Sequence, residues 1–466
     1  MSGPFRRAAD ATLVASAREA VDDAFAAIAA DGQPGIWIEL VDPVDARQAA
    51  VDVDDRVAAG EELPLAGLTF AVKNNIDVRG IRTTAGCRSF GRVAEHHAPV
   101  VQQLVDAGAV VVGVTNLDQF ATGLVGTRSP FGICPNAHWD GLVSGGSSSG
   151  SAVAVARGHV DFSIGTDTAG SGRVPAAANG ILGWKPTKSR VSTDGVVPAC
   201  ESLDCVSFFG RDAAVLDRIR HAVARPFAGA GAGTAAGADL DLDADRPGPD
   251  GGVRLGVAVA DALTFDGDER WGRATLAAID HTVGALGATA VTIDLEPLLA
   301  TGRMLYEGAF VRERFDAVGE FIERHRDDVD PVVFSIIHAA GSLRAEDLVR
   351  DRLVVAEREQ QLRGLWDDVD AIVLPTVPRV PTVAEVAAEP IAVNSMLGTY
   401  TNFVNLLGLC ALTVPIGSAA SGPPASVTFI APAGRDEQLL ALAAAVTREP
   451  HRAADEPEPA IGARPN

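Results

Sequence analysis

Apolar and polar positions along this chain follow two periods, and the switches between them predict its elements. Residues 8–29 carry apolar side chains at intervals of three and four, in Leu13, Ala17, Ala20, Val21 and Phe25, which predicts a helix. The stretch 63–78, LPLAGLTFAVKNNIDV, predicts a buried strand that ends at Lys73 and turns through Asn74 and Asn75. Residues 100–107 are amphipathic and helical in pattern, whereas 109–114, AVVVGV, is a continuous apolar strand. GGSSSG at 145–150 then runs into SAVAVA at 151–156, the opening of a tightly packed helix, and DFSI at 161–164 reads as a short buried strand. Residues 186–212 are turn-rich and polar, and 226–252, crowded with Gly, Ala, Asp and Pro, reads as an exposed, low-complexity insertion. Beyond it come strands at 253–259, 288–294 and 370–375, with helices near 269–286, 300–326 and 343–366. An apolar segment with spaced Asn and Thr covers 395–416, a strand–turn–helix covers 426–446, and 448–466 reads as a disordered tail. Strands and helices in alternation, with strands apolar on both faces, are the pattern of an α/β layer structure.

Composition narrows the class of protein more than its chemistry. With 466 residues, 47% of them hydrophobic, the chain can bury the core of one large domain or two ordinary ones. Its apolar runs are too short to span a bilayer, and MSGPFRRAAD at the start lacks the apolar core of a signal peptide, so the expectation is a cytoplasmic protein with no membrane partner. A net charge of −22 argues against nucleic acid as a partner. An anionic substrate would meet an opposing field and need a local Arg or Lys. The five cysteines (87, 134, 200, 205 and 410) show no metal-ligand spacing, so no metal, cofactor or disulfide frame is expected.

Candidate chemistry concentrates between Ser144 and Arg173. A glycine-rich loop such as Gly165 to Gly172 can point several backbone N–H groups at one spot, as an oxyanion hole requires. GGSSSG by composition alone resembles a flexible linker, but it stands between apolar elements that leave a linker no room. Lysines are confined to Lys73, Lys185 and Lys188. Lys73, inside the apolar run FAVK, either reaches solvent along its stem or is a buried amine whose lowered pKa suits a general base. No histidine lies in a GxSxG or comparable setting, so a Ser-His-Asp triad is not indicated.

Lys73, GGSSSG at 145–150 and GTDTAGSGRVPAA at 165–177 together resemble the amidase signature family, in order and in internal spacing. The resemblance implies a single α/β domain over 1–447 with a large mixed central sheet flanked by helices. It also implies a Ser-Ser-Lys triad: Ser171 as nucleophile, Ser147 as the bridging serine on a cis peptide with Gly146, and Lys73 as base. Thr168, Ala169, Gly170 and Ser171 would supply oxyanion N–H groups, with Asp167 and Arg173 bracing the loop. The stretches 115–132, 195–207 and 397–415 are similar to the allophanate hydrolase branch of the family, which implies a small anionic amide, allophanate, as substrate. On that resemblance Tyr306 and Arg314 hold the substrate carboxylate; their interval, slightly over two helical turns, would let both face one pocket from one helix. Gln119, Gly123 and Arg128 fall in the pocket segment, with Gln119 placed to hydrogen-bond the urea nitrogens. Departures from the family pattern fall at Asn74, where an acidic residue is common, and at Trp184, Ser426 and Ala431.

The resemblance leaves a homodimer open and implies a functional link to a biotin-dependent urea carboxylase. Many allophanate hydrolases carry an additional C-terminal domain, and the expectation is that this chain does without it or uses a separate partner for it. The alternatives are a family member acting on another small amide, the ammonia-producing component of a tRNA-dependent amidotransferase, or an inactive binding module.

Overall fold

The computed structural model describes residues 16–223, 252–417 and 425–448. The start of the helix expected at 8–29, the insertion at 226–252 and the tail at 448–466 therefore lie outside the described residues, apart from 252 and 448 at their edges. The described part of the first helix, Ala17–Asp31, opens on a capping box in which the Ser16 hydroxyl accepts from the Glu19 amide and the Glu19 carboxylate accepts from the Ser16 amide. It closes at Gly32, whose φ of +59° is the left-handed stop that glycine adopts without penalty.

Strands follow as β1 (Trp37–Leu40), β2 (Thr69–Lys73), β3 (Arg82–Thr83), β4 (Arg92–Val93), β5 (Val110–Thr115), β6 (Phe162–Asp167), β7 (Leu182–Lys185), β8 (Cys205–Gly210), β9 (Arg254–Ala258), β10 (Thr289–Ile293), β11 (Ala371–Pro375), β12 (Cys410–Ile416) and β13 (Ala425–Ala431). Strands β3 and β4 pair apart as a small ribbon. The other eleven form one mixed sheet in the order β1-β5-β2-β6-β8-β7-β12-β13-β11-β9-β10. This is the large mixed α/β sheet that the family resemblance implies.

The register of three neighbouring strands places the site. β2 runs parallel to both β5 and β6, with Lys73 opposite Thr115 and Val72 opposite Ile164. Parallel strands release their next residues at the same edge of a sheet, which is where open α/β sheets bind ligands. Lys73, the turn that starts at Asn116 and the loop that starts at Thr168 therefore emerge side by side. Burial fixes this register: Phe70 and Phe162 stack face to face across β2 and β6, with ring centroids 5.1 Å apart. The helix Ser149–Ala156, SGSAVAVA, packs on this part of the sheet with its first seven residues buried. Small side chains allow that approach: a Cβ on Gly150 would fall 2.7 Å from the Asn116 amide nitrogen.

Two expectations need correction. The stretch 186–212 is not only turn: its end, CVSFFG, is β8, fully buried between β6 and β7, and Phe208 stacks on Trp184 at 5.1 Å. The helix expected at 300–326 is two helices, Glu296–Glu307 and Arg312–Arg324, parted by extended Gly308 and a short 3-10 turn at Ala309–Val311. The Asp351 carboxylate enters the gap and accepts from the Ala309 amide at 2.6 Å; a Cβ on Gly308 would stand 2.6 Å from that carboxylate, so the break depends on glycine. All five cysteines are free and buried. No described helix is long and apolar enough to cross a membrane.

Candidate active site

Lys73 is fully buried at the end of β2, so its amine cannot reach solvent along its stem. Its Nζ lies 2.7 Å from Ser147 Oγ and 2.7 Å from Thr166 Oγ1. Burial lowers the Lys73 pKa to about 7; the carboxylates of Asp118, Asp204 and Asp167 oppose the shift and the Arg314 guanidinium adds to it. A neutral amine has one lone pair, so the Ser147 hydroxyl can donate to Nζ while an N–H of Lys73 donates to Thr166. Asn74 points elsewhere: its Oδ1 accepts from the Thr84 amide at 2.9 Å and its Nδ2 donates to the Arg82 carbonyl, which fixes the turn after β2 and leaves Lys73 untouched.

The peptide bond Gly146–Ser147 is cis. Asp118 secures it: its amide donates to the Ser147 carbonyl at 3.1 Å, and its carboxylate lies against Gly146, where a side chain would have no space. The same buried carboxylate accepts from the amides of Val125, Gly126 and Arg128 at 3.0–3.1 Å, which ties the 118–128 segment into one unit.

Beyond β6 the loop 168–172 carries Ser171 to the start of the helix Arg173–Asn179. Arg173 and Asp167, both fully buried, form a two-pronged pair at 2.9 Å on each prong. Burial alone would raise the Asp167 pKa, but Arg173 and the Gly170 amide outweigh it and hold the carboxyl below its usual value. The guanidinium also donates to the Thr401 carbonyl and to Asn405 Oδ1, at 3.0 and 2.7 Å. Thr401 Oγ1 in turn donates to the Ala169 carbonyl at 2.7 Å, and Asn405 Nδ2 to the Asp167 carbonyl at 2.8 Å. The apolar segment 395–416, with its spaced Asn and Thr, thus supplies the clamp for this loop. Arg173→Met leaves the Asp167 carboxylate buried without its partner and should lower the unfolding free energy by about 3–5 kcal/mol, read from urea titration.

One of the four amides expected to face an oxyanion is engaged within the loop. The Gly170 amide donates to Asp167 Oδ1 at 2.8 Å and is spent inside the loop, because the φ of +125° at Gly170 turns it toward the carboxylate. The amides of Thr168, Ala169 and Ser171 have no protein acceptor among the described residues. A residue absent from the sequence reading controls this loop from its other side. Asp204, fully buried, accepts from the Thr168 hydroxyl and from the amides of Ala199, at 2.8 Å, and Cys200, at 3.2 Å. Burial pushes its pKa up. In sequence Asp204 reads as one more polar turn residue, and only the neighbouring apolar run of β8 hints at its burial.

Tyr306 and Arg314, the expected carboxylate-binding pair, stand on the two separate helices and not on one. Tyr306, half-buried, packs on the core cluster that contains Ala169 of the 168–172 loop. Arg314, buried in the first turn of its helix, donates through Nη1 to the Ala121 carbonyl at 3.3 Å and to Thr122 Oγ1 at 3.1 Å. Its Nε and Nη2 have no protein acceptor among the described residues. Gln119, expected to meet substrate nitrogens, is held by the chain itself at both ends of its amide. Nε2 donates to the Asp328 carbonyl at 2.9 Å, and Oε1 accepts from the Asp330 amide at 2.7 Å. Gly123 has no room for a side chain, with the Asp118 carboxylate 2.7 Å from where a Cβ would stand. Arg128 is buried and donates to the carbonyls of Thr122 and Pro390.

The chain thus holds a buried lysine against a serine on a cis peptide, and a further serine in the loop that follows β6. The chain belongs to the amidase family, whose model matches residues 21–440. Among its relatives, the urea amidolyase of Lachancea kluyveri is 44% identical over 414 residues, covering 87% of this chain and 22% of that protein. The urea amidolyase of Saccharomyces cerevisiae is 44% identical over 385 residues, covering 82% of this chain and 21% of that protein. The solved structure of Kluyveromyces lactis allophanate hydrolase superposes with a TM-score of 0.81 at 37% identity, covering 93% of this chain and 70% of that one. The chain thus spans about a fifth of the length of the urea amidolyases it matches.

Proposed function

We propose that this chain hydrolyses the terminal amide of allophanate and releases ammonia through an acyl-enzyme on Ser171. Neutral Lys73 takes the proton of Ser147 as Ser147 takes that of Ser171, whose oxygen attacks the carboxamide carbon. The oxyanion faces the amides of Thr168, Ala169 and Ser171; one such donor typically contributes about 3–4 kcal/mol to the transition state. As the intermediate collapses, the proton returns along the same path to the departing nitrogen and ammonia leaves. Water then attacks the acyl carbon, gives its proton to the relay and frees Ser171; N-carboxycarbamate departs and breaks down to carbon dioxide and a second ammonia.

The observation that carries the reaction class is the 2.7 Å contact between a fully buried Lys73 amine and Ser147. The choice of an anionic substrate is supported by Arg314, a buried cation with part of its fork unclaimed in a chain of net charge −22, and by the likeness to allophanate hydrolase. A functional link to a biotin-dependent urea carboxylase belongs to the same proposal, supported by the urea amidolyase match.

Arg314→Ala tests the substrate reading. The expected result is a KM for allophanate raised roughly a hundredfold, in line with a lost charge-assisted pair, and little change with acetamide. Equal loss on both substrates would make Arg314 structural and remove the basis for an anionic amide.

A further inference from the structure

The turn at 119–122 holds an unusual backbone in this site. Phe120 and Ala121 are consecutive non-glycine residues in the left-handed region, each with φ +52°. L residues hold that conformation only where their surroundings impose it. Here three contacts do so. The Phe120 amide donates to the Ala85 carbonyl at 2.8 Å. Its ring sits edge-to-face with Phe90 and Phe321, at centroid distances of 5.2 and 6.1 Å. Gln119 fastens the turn to residues 328 and 330 through both ends of its amide.

The imposed conformation presents two acceptors to one cation. The Ala121 carbonyl and Thr122 Oγ1 both receive Nη1 of Arg314, and the Thr122 hydroxyl donates onward to the Phe120 carbonyl at 3.2 Å. A directed chain results, from Arg314 through Thr122 into the constrained turn. A guanidinium is planar and rigid, so holding one nitrogen from two directions sets the plane of the whole fork. The donors left over, Nε and Nη2, are the ones a substrate carboxylate could take as a pair.

We propose that Thr122 is a positioning residue that determines substrate specificity: it aims the unclaimed edge of Arg314, and the preference for an anionic over a neutral small amide depends on its hydroxyl. The inference rests on the reading of Arg314 as the carboxylate grip. Gln119 contributes one step further out, by keeping the turn that carries Thr122 in place.

Steady-state kinetics of the full chain on allophanate and acetamide, with Thr122→Val, Thr122→Ser and Arg314→Ala, decide the matter. Thr122→Val should raise KM for allophanate roughly tenfold, equivalent to about 1.4 kcal/mol, with kcat changed less than about threefold and acetamide kcat/KM nearly unchanged. Thr122→Ser keeps the hydroxyl and should return KM to within about threefold of the parent. If Thr122→Val does not fold, Thr122→Ala carries the same comparison. Equal loss on both substrates, or a Ser variant as impaired as the Val variant, overturns the proposal. Selective loss in Arg314→Ala with none in Thr122→Val overturns it and leaves the reading of Arg314 standing. Unselective loss in Arg314→Ala removes both.

Discussion

Ser171→Ala is expected to lower kcat for ammonia release from allophanate by about four to six orders of magnitude, the loss seen when a nucleophile acting in a relay is removed. Its fold should survive, because the loop is held by groups other than the Ser171 side chain. Asp167 binds the amides of Gly170 and Gly172, Arg173 binds Asp167, and Thr401 binds the Ala169 carbonyl. Thermal unfolding of the variant should therefore match the parent within a few degrees. Retained turnover above a hundredth of the parent rate would mean that another group attacks the amide. Ser147→Ala should fall nearly as far, since the Lys73 amine bonds Ser147 and without it the relay has a gap.

The second large effect is that of pH and Lys73 together. With its pKa lowered to about 7, chiefly by burial, Lys73 is neutral and able to accept a proton above that value and charged below it. The kcat/KM profile, which reports the free enzyme, should fall about tenfold per pH unit below an acid limb near pH 7. Lys73→Arg cannot supply a neutral base, since a guanidinium stays protonated, and should be inactive at every pH. Stability depends on the same titration over a higher window. The folded pKa lies below the ordinary 10.5, so between about 7 and 10.5 the unfolded chain binds the extra proton and stability rises with pH across that window. Lys73→Met removes this contribution and should flatten the dependence while abolishing turnover. An acid limb that persists unchanged in a residually active Lys73→Met would assign the titration to another group.

Much of the site is legible in the sequence because its signals are local. Lys73 stands out as a lone lysine in an apolar run, although only the structure decides between a buried amine and one that reaches solvent, and the glycines around Ser147 and Ser171 mark backbone that must turn sharply. The strands are legible for the same reason, as continuous apolar runs. What escapes depends on distant partners. Helical spacing places Tyr306 and Arg314 on one face, but an Asp351 carboxylate from a later helix enters at Gly308 and ends the first helix there. Gln119 reads as a free amide because nothing nearby reveals that residues 328 and 330, far along the chain, fill both of its ends. Gly170 reads as an oxyanion donor because its positive φ, which turns the N–H to Asp167, is invisible in composition. Asp204 escapes for the converse reason, a buried carboxyl group in a stretch whose polarity suggests surface.

The Asn74 departure also resolves in physical terms. Its amide ties the residues after β2 to Thr84 and Arg82, so the position serves the turn and not the charge on Lys73. Trp184, at a position that is usually aliphatic, finds a stacking partner in Phe208 and a hydrogen-bond acceptor in Asp436 at 3.2 Å, which accounts for a buried indole beside the sheet.

Ammonia release from allophanate by the unmodified chain, run beside acetamide and glutamine under the same conditions, tests the central claim most directly. The account predicts turnover of allophanate with kcat/KM at least about a hundredfold above either neutral amide, as expected of a site whose polar grip is left unpaired by a neutral substrate. Turnover of acetamide or glutamine with none of allophanate would contradict it.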